Sequence, residues 1–387
     1  MPKSVVIVGG SLAGLMQGIQ FKRLGEHVTI LEQDTRTERY SNEAGIAFGS
    51  NMSELLRQVD LTGLPVSIPS EFNHVSYRNL SCWGLLYRIL RANFDGLPST
   101  VCPNPPGPLT GDGSIEYRSG KMVNVLQCCD STVTVHFEDV NTKETGTVQA
   151  DLVIGADGVH STVRRLVGAP AVEEYAGYIV WRGTVKEDTL PVETKQYFSN
   201  RVCANMLGGS SCICYVIPTD SGGFSPEERL ESSTEMKDIF TDIHGDLHQH
   251  TVPRGLVRPD VWARIRPTFT SRMAPPNPFV TKVNDVLCTT PSFYDGHVIL
   301  VGDALAAIRP HIAYSAEQAA FHTLSLAKVS RGEETMDAWC REVGHHAQRF
   351  HFLSRVVGHF GQGPLIVFLK PLLSYILLVV RLKLARK

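Results

Sequence analysis

An uninterrupted apolar run long enough to cross a bilayer is missing from this chain. The longest clean stretch, Leu372 to Val380, falls far short of the ~20 residues that a spanning helix needs. A charge excess is missing too. Lys and Arg number 37 against 39 Asp and Glu, a formal net charge of −2, so no nucleic acid or other polyanion is expected as a partner. The nine cysteines lack the spacing of a framework. Cys128-Cys129 are adjacent, and Cys212-x-Cys214 is too tight for zinc pairing. Free thiols in a reducing compartment, the cytoplasm, are the reading. Met1-Pro2-Lys3 runs straight into the first strand, so no secretory signal is expected. A metal-ligand cluster is also missing. His345-His346 and His351 lie on a polar helical stretch with no carboxylate in register, and they read as a solvated face.

What is present is ordinary globular composition, 43% hydrophobic and 20% charged, with room for one large or two modest cores. The most informative stretch is Val5-Val6-Ile7-Val8-Gly9-Gly10-Ser11-Leu12-Ala13-Gly14, followed by an apolar strand His27 to Leu31 that ends at Glu32. Strand, tight turn, helix, strand and a terminal acid make the βαβ unit that holds a dinucleotide. Gly9 turns the chain out of the strand, and a small residue at 11 lets the backbone approach a pyrophosphate. Gly14 lets the helix pack close, and the helix N-terminus offers N–H groups to phosphates. The usual G-x-G-x-x-G carries Ser11 at its middle glycine. By itself the segment does not choose between NAD, NADP and FAD.

Two later segments repeat the theme. Leu152-Val153-Ile154-Gly155 runs into Ala156-Asp157-Gly158-Val159-His160-Ser161-Thr162-Val163-Arg164, and His297 to Val301 runs into Gly302-Asp303-Ala304. Between them, residues 175–270 read as short strands with Gly and Pro breaks. Ser81 to Arg91 reads as an amphipathic helix with Trp83, Leu86 and Leu90 on one face.

Three strand ends, each with small residues and an acid, in this order, resemble the class A FAD-dependent monooxygenases, the para-hydroxybenzoate hydroxylase-like flavoproteins. The second segment is close to that family's GADG-x-x-S-x-x-R motif. The third resembles its G-D-A motif and the following P-x-x-G-x-G turn, with Ala313 and Ser315 at the glycine positions. Ser81-Cys82-Trp83, Tyr175-Ala176-Gly177-Tyr178, Trp181-Arg182-Gly183 and Arg309-Pro310-His311 resemble the 2,6-dihydroxypyridine 3-hydroxylase-like group within it. The likeness runs from residue 4 to about 330.

The resemblance implies an α/β architecture: a Rossmann-like FAD-binding domain (1–174 and 271–330), an inserted β-sheet substrate domain (175–270), and a C-terminal helical, apolar tail (331–387). It implies FAD with NAD(P)H as electron donor, and oxygen insertion from O2 into a phenolic or heteroaromatic small molecule through a flavin C4a-hydroperoxide. Epoxidation or Baeyer–Villiger ring expansion by the same flavin, and a flavin-binding protein without oxygenase activity, stay open. A halogenase is disfavoured, since W-x-W-x-I-P is absent and Trp83, Trp181, Trp262 and Trp339 stand alone.

For the cofactor, the resemblance implicates Gly9, Gly10, Ser11, Leu12, Ala13 and Gly14, then Glu32 with Gln33 at the adenosine ribose, and Asn51. Arg91 is expected near the pyrophosphate, Asp157 near FAD and the nicotinamide donor, and Gly302 and Asp303 near the ribityl or pyrophosphate side. Pro310, Ala313 and Ser315 are expected along the isoalloxazine. His311 is the first candidate for a proton acceptor beside the flavin, with Tyr178 and Tyr314 behind it. Many relatives carry His where this chain has Ala306. The apolar tail ends in Arg381, Lys383, Arg386 and Lys387. It reads either as a buried or substrate-covering helix pair or as a peripheral membrane contact. The oligomeric state is left open.

Overall fold

Strand Ser4–Val8 is an inner strand of a six-stranded sheet. It pairs in parallel with His27–Glu32 on one side and Leu152–Gly155 on the other. Ile115–Ser119 extends the sheet in parallel beyond His27–Glu32. Val298–Leu300 extends it beyond Leu152–Gly155, and Ser292–Phe293 closes that edge antiparallel. Val5 to Val8 are all buried, as a parallel strand covered on both faces requires. The computed structural model describes residues 3–36, 45–72, 76–186, 191–198, 201–206, 210–219, 235–242, 279–359 and 365–384.

Helices Leu12–Arg23, Trp83–Asp95 and Ser315–Ser330 pack around this sheet, the first touching both of the others. An antiparallel meander, Lys121–Cys129, Thr132–Asp139 and Thr145–Ala150, adds Val123, Val133, Val135 and Phe137 to the same core. Glycine is required where these parts meet. Gly9 has φ +105°, and a Cβ there would lie 2.5 Å from the Ala156 carbonyl oxygen. A Cβ on Gly14 would lie 1.9 Å from the Gly9 carbonyl oxygen.

A second sheet has eight strands in the order Phe279–Cys288, Ala171–Lys186, Glu235–Asp242, Ser210–Ile217, Arg201–Met206, Ile68–Phe72, Ser76–Cys82, Gly45–Phe48. It is wider than the 175–270 segment expected to form it. Three of its strands come from residues 45–82 and one from 279–288, regions assigned by sequence to the cofactor domain. Pairing of Ile68–Phe72 with Arg201–Met206 joins the two contributions. Such long-range pairing leaves no local pattern in either segment. Within Ala171–Lys186 the register slips between Tyr175 and Ile179, at Gly177 with φ +86°. A bulge of this kind re-aims the neighbouring side chains, and Tyr178 beside it is 3% exposed.

Helix Met336–His359 packs on the strand Phe279–Cys288 and on the turn Pro310–Ile312. Helix Leu365–Leu384 packs on it in turn. His346 is half-buried and stacks on Phe321 with centroids 4.0 Å apart, and His351 is 4% exposed. The solvated face expected of the three histidines holds only for His345, because the neighbouring helix Ser315–Ser330 covers part of that face.

One buried carboxylate fastens two helices. Glu317 accepts from the N–H groups of Gly49 (2.8 Å), Asn51 (2.8 Å) and Met52 (3.2 Å), and from Asn51 Nδ2 (3.0 Å). It caps helix Ser50–Val59 from across the fold, where the helix's own N-cap Gly49 has no side chain to do so. Glu317→Ala should cost about 2–3 kcal/mol, since it leaves several N–H groups unmatched. Denaturant titration of the purified protein checks this.

Candidate active site

The parallel register aligns the three turns. Val8 pairs with both Leu31 and Gly155, and Gly155 pairs with Leu300. Gly9, Glu32, Ala156 and Val301 therefore follow in one row at the carboxyl edge of the sheet. In open α/β sheets that edge is where ligands bind. The row brings together the three segments singled out in the sequence.

At the first turn, Ser11 is the N-cap of helix Leu12–Arg23, and its side chain makes no cap bond. Its Oγ accepts instead from the Trp83 indole N–H at 3.2 Å. Trp83 stacks on Tyr87, centroids 4.8 Å apart. Arg91 donates to Tyr87 Oη at 2.6 Å and pairs with Asp95 at 2.7 Å, while its guanidinium lies 3.6 Å over the Tyr117 ring. Tyr117 in turn donates to the Gly10 carbonyl at 3.1 Å. A belt of aromatic rings and one cation thus buttresses the turn. Arg91, expected at a pyrophosphate, is committed to Tyr87, Asp95 and Tyr117, and it is 5% exposed. Its side chain acts through Tyr117 on Gly10. Glu32 accepts from the Gly10 N–H (2.7 Å) and the Asp34 N–H (2.8 Å), and Gln33 beside it is exposed. Asn51 faces Glu317, as described above.

At the second turn, Asp157 accepts from Ser161 Oγ (2.5 Å), the Thr162 N–H (2.6 Å) and the Val163 N–H (3.1 Å). Burial pushes its carboxyl above the usual range despite these bonds. Ser161 caps the same short helix, accepting from the Arg164 N–H at 3.0 Å. Arg164, 2% exposed, donates to the Val159 carbonyl (2.7 Å) and the Ala304 carbonyl (2.9 Å), and pairs with Glu173. The Asp, Ser and Arg of this motif are thus one device that ties the second turn to the third. The sequence showed the spacing without the purpose of Arg164.

At the third turn, Gly302 has φ +56°, and a Cβ there would come within 3.0 Å of Ala13 Cβ. The Gly302 N–H donates to Nδ1 of the buried His322 at 3.0 Å, and Gln318 donates to the Gly302 and Ala306 carbonyls. Neither His322 nor Gln318 was singled out by sequence, which shows no reason for a polar pair inside a helix. Asp303 is bonded to Ser315, while its Oδ1 is buried without a hydrogen-bond partner. Desolvation pushes its carboxyl up to about 6. Ser315 opens helix Ser315–Ser330, whose N-cap Tyr314 makes no side-chain cap bond. Ala313 sits left-handed at φ 47°, ψ 54°, where an L-residue with a Cβ costs about 1–2 kcal/mol.

An FAD molecule fits these features. The glycine turn leaves room for a pyrophosphate, two helix N-termini point N–H groups at the row, and the orphaned Asp303 Oδ1 awaits a hydroxyl donor. Glu32, the Gly9–Gly14 turn and Asp303 would hold the adenosine, pyrophosphate and ribityl portions respectively.

Beyond Pro310, His311 and Tyr178 face one another with ring centroids 5.2 Å apart. His311 Nε2 and Tyr178 Oη are both buried without partners. Burial, with the Arg309 and His359 charges, pushes His311 down to about 4, and burial raises the Tyr178 hydroxyl. Gly358 backs the imidazole, since a Cβ there would lie 2.8 Å from His311 Cδ2. Arg309 and Asp285, both nearly inaccessible, pair at 2.6 Å, and Arg309 reaches His359 Nε2 at 3.2 Å. Arg355 pairs with Asp285 at 3.2 Å and with Glu174. Tyr314 is engaged elsewhere, bonded to His346 at 3.2 Å and stacked on Phe350. Among the described residues no group of three metal-ligating side chains occurs.

Two outcomes test the cofactor placement. Ser11→Gly should keep FAD binding, whereas Ser11→Leu should block pyrophosphate approach and yield apoprotein, read as flavin absorbance per protein. A ribityl hydroxyl would favour the ionised Asp303, which in the apoprotein is protonated below about pH 6. FAD affinity should therefore rise about tenfold from pH 5 to 7 and lose that slope in Asp303→Asn, as titration of apoprotein with FAD would show.

A family model described as FAD binding domain-like matches residues 175–290. The chain is 26% identical to a 2,6-dihydroxypyridine 3-monooxygenase of Paenarthrobacter nicotinovorans, over 84% of this chain and 82% of that one. It is 25% identical to a 6-hydroxynicotinate 3-monooxygenase of Pseudomonas fluorescens, over 90% and 85%. The solved structure of 2,6-dihydroxypyridine-3-hydroxylase from Arthrobacter nicotinovorans superposes with a TM-score of 0.67 at 22% identity, covering 93% of this chain and 92% of that one. From the fingerprint at Gly9 to the Arg309-Pro310-His311 turn, the likeness is to one class of flavoprotein, the FAD-dependent aromatic-ring monooxygenases of the 2,6-dihydroxypyridine 3-hydroxylase kind.

Proposed function

We propose that this protein uses NAD(P)H and O2 to insert one oxygen atom into a hydroxylated aromatic or heteroaromatic small molecule held beside the His311–Tyr178 pair. The observation that carries the reading is this facing pair, whose Nε2 and Oη are buried and unpartnered at the flavin turn. Bound FAD, reduced by NAD(P)H, would activate O2, one oxygen atom going to the ring and the other leaving as water. The chain's own part is to bind the ring, exclude water and move one proton. With its pKa near 4, His311 is neutral across physiological pH. In the tautomer protonated at Nδ1, its Nε2 accepts the proton of a ring hydroxyl, which raises electron density on the ring carbon to be attacked. Tyr178 stays protonated and donates to a second polar atom of the ring. Gly358 and the Arg309–Asp285 pair keep the imidazole in place.

The remaining site residues take supporting parts in this reading. Arg91 positions Gly10 through Tyr117. Asp157 and Arg164 hold the second turn against the third, and Pro310, Ala313 and Ser315 shape the turn along the isoalloxazine. The tail is proposed to make a peripheral membrane contact, supported by the exposed apolar side chains of helix Leu365–Leu384. Among the described residues no helix is long and apolar enough to cross a membrane.

The purified protein should be yellow, and a matched phenol or hydroxypyridine should accelerate NAD(P)H oxidation and give a product one oxygen heavier by mass spectrometry. Protein that takes up no FAD would overturn the reading. His311→Asn should retain FAD and lose about 10²-fold in product formation. In the parent protein the acid limb attributable to His311 should lie near pH 4, activity falling as the imidazole protonates. An unchanged acid limb in the variant would remove His311 from the proton transfer.

A further inference from the structure

Helix Leu365–Leu384 carries six large aliphatic side chains that are 46–68% exposed: Leu369, Leu373, Ile376, Leu377, Val380 and Leu384. At 3.6 residues per turn they fall within an arc of about 100°, one continuous stripe. Lys370 and Arg381 border the stripe on one side and Lys383 on the other, all three exposed. Residues 365–384 contain no Asp or Glu. Aliphatic stripe, cationic borders and an apolar run interrupted by Lys370-Pro371 are the features of a helix that lies in a bilayer interface, its lysine and arginine heads reaching to headgroups. The charge chooses the occupant. A second copy of the same helix would bring cation against cation, whereas anionic headgroups complement all three.

This helix is joined to the candidate substrate site. It packs on helix Met336–His359, whose last turn supplies Gly358 against His311 and His359 against Arg309. The charges beside His311 cancel. Arg309 and Arg355 are matched by Asp285 and Glu174, so among the described residues no unmatched cation awaits a carboxylate there. A ring carboxylate buried beside His311 would be unpaired and costly.

We infer that the C-terminal helix docks the enzyme on an anionic bilayer, and that the site it adjoins takes an uncharged, lipophilic hydroxylated aromatic from that bilayer. The substrate part rests on the monooxygenase reading; the docking part does not.

The full-length FAD-bound protein is floated with vesicles of phosphatidylcholine alone and of phosphatidylcholine mixed with phosphatidylserine. Flotation should be several-fold greater with the mixed vesicles, fall at high salt, and be lost in the double variant Leu373→Glu, Leu377→Glu with FAD content intact. No flotation, or equal flotation on both vesicle types, overturns the docking. So does a parent dimer that becomes a monomer in the double variant, because the stripe is then covered by a second copy. For the substrate class, a long-chain alkylphenol and its ring-carboxylated analogue are titrated against the oxidised flavin spectrum, a readout independent of turnover. The alkylphenol should bind at least about tenfold more tightly. Equal or tighter binding of the carboxylated analogue overturns the substrate class while leaving oxygenation of an anionic ring in place.

Discussion

Four parallel strands end in one row, with Leu31, Val8, Gly155 and Leu300 paired across it by backbone hydrogen bonds. The row is the constraint on which the rest depends. It sets the glycine turn, the capped Asp157 turn and the Gly302–Asp303 turn side by side although they lie about 150 residues apart in sequence. Parallel pairing is what makes this possible, since it points every carboxyl end the same way. A slip of one residue in any of the four would turn buried side chains to the wrong face and misplace one portion of the cofactor cradle.

Buried polar side chains then lock the row. Arg164 joins the second turn to the third, His322 and Gln318 hold Gly302, and Glu317 fastens helix Ser50–Val59 to helix Ser315–Ser330. The belt from Trp83 to Tyr117 supports the first turn from below. Arg164 and Glu317 are matched, so their desolvation is offset, and removal of one partner would leave an uncompensated group behind. Three of the buried atoms without partners lie where ligands are expected: Asp303 Oδ1 on the cofactor side, and His311 Nε2 with Tyr178 Oη beyond Pro310.

The parts legible in the sequence were those governed by local rules. Gly9 and Gly14 announce a tight turn because nothing larger fits, and an apolar run ending in an acid announces a strand end. Both readings concern a few neighbouring residues. The eight-stranded sheet was underestimated because Gly45–Phe48, Ile68–Phe72 and Ser76–Cys82 find partners through a neighbour more than a hundred residues away. Arg91 looked like a phosphate ligand because a buried arginine and a pyrophosphate ligand share one sequence signature; only Asp95 and Tyr87 at i+4 and i−4 decide between them. Glu317 stands in the first turn of its own helix, and its service to another helix is invisible without the fold.

One strand carries a consequence of its own. Ala171–Lys186 is sixteen residues long, which at ~3.3 Å per residue makes a strut of about 50 Å. Near its start Glu173 grips Arg164 of the second turn, the next residue grips Arg355 of helix Met336–His359, and four residues later Tyr178 faces His311. The second turn, the His311–Tyr178 pair and helix Met336–His359 are therefore threaded on a single extended element. The direction of Tyr178 is set by the Gly177 bulge, so a side chain forced into its left-handed backbone at φ +86° would re-aim the tyrosine against His311.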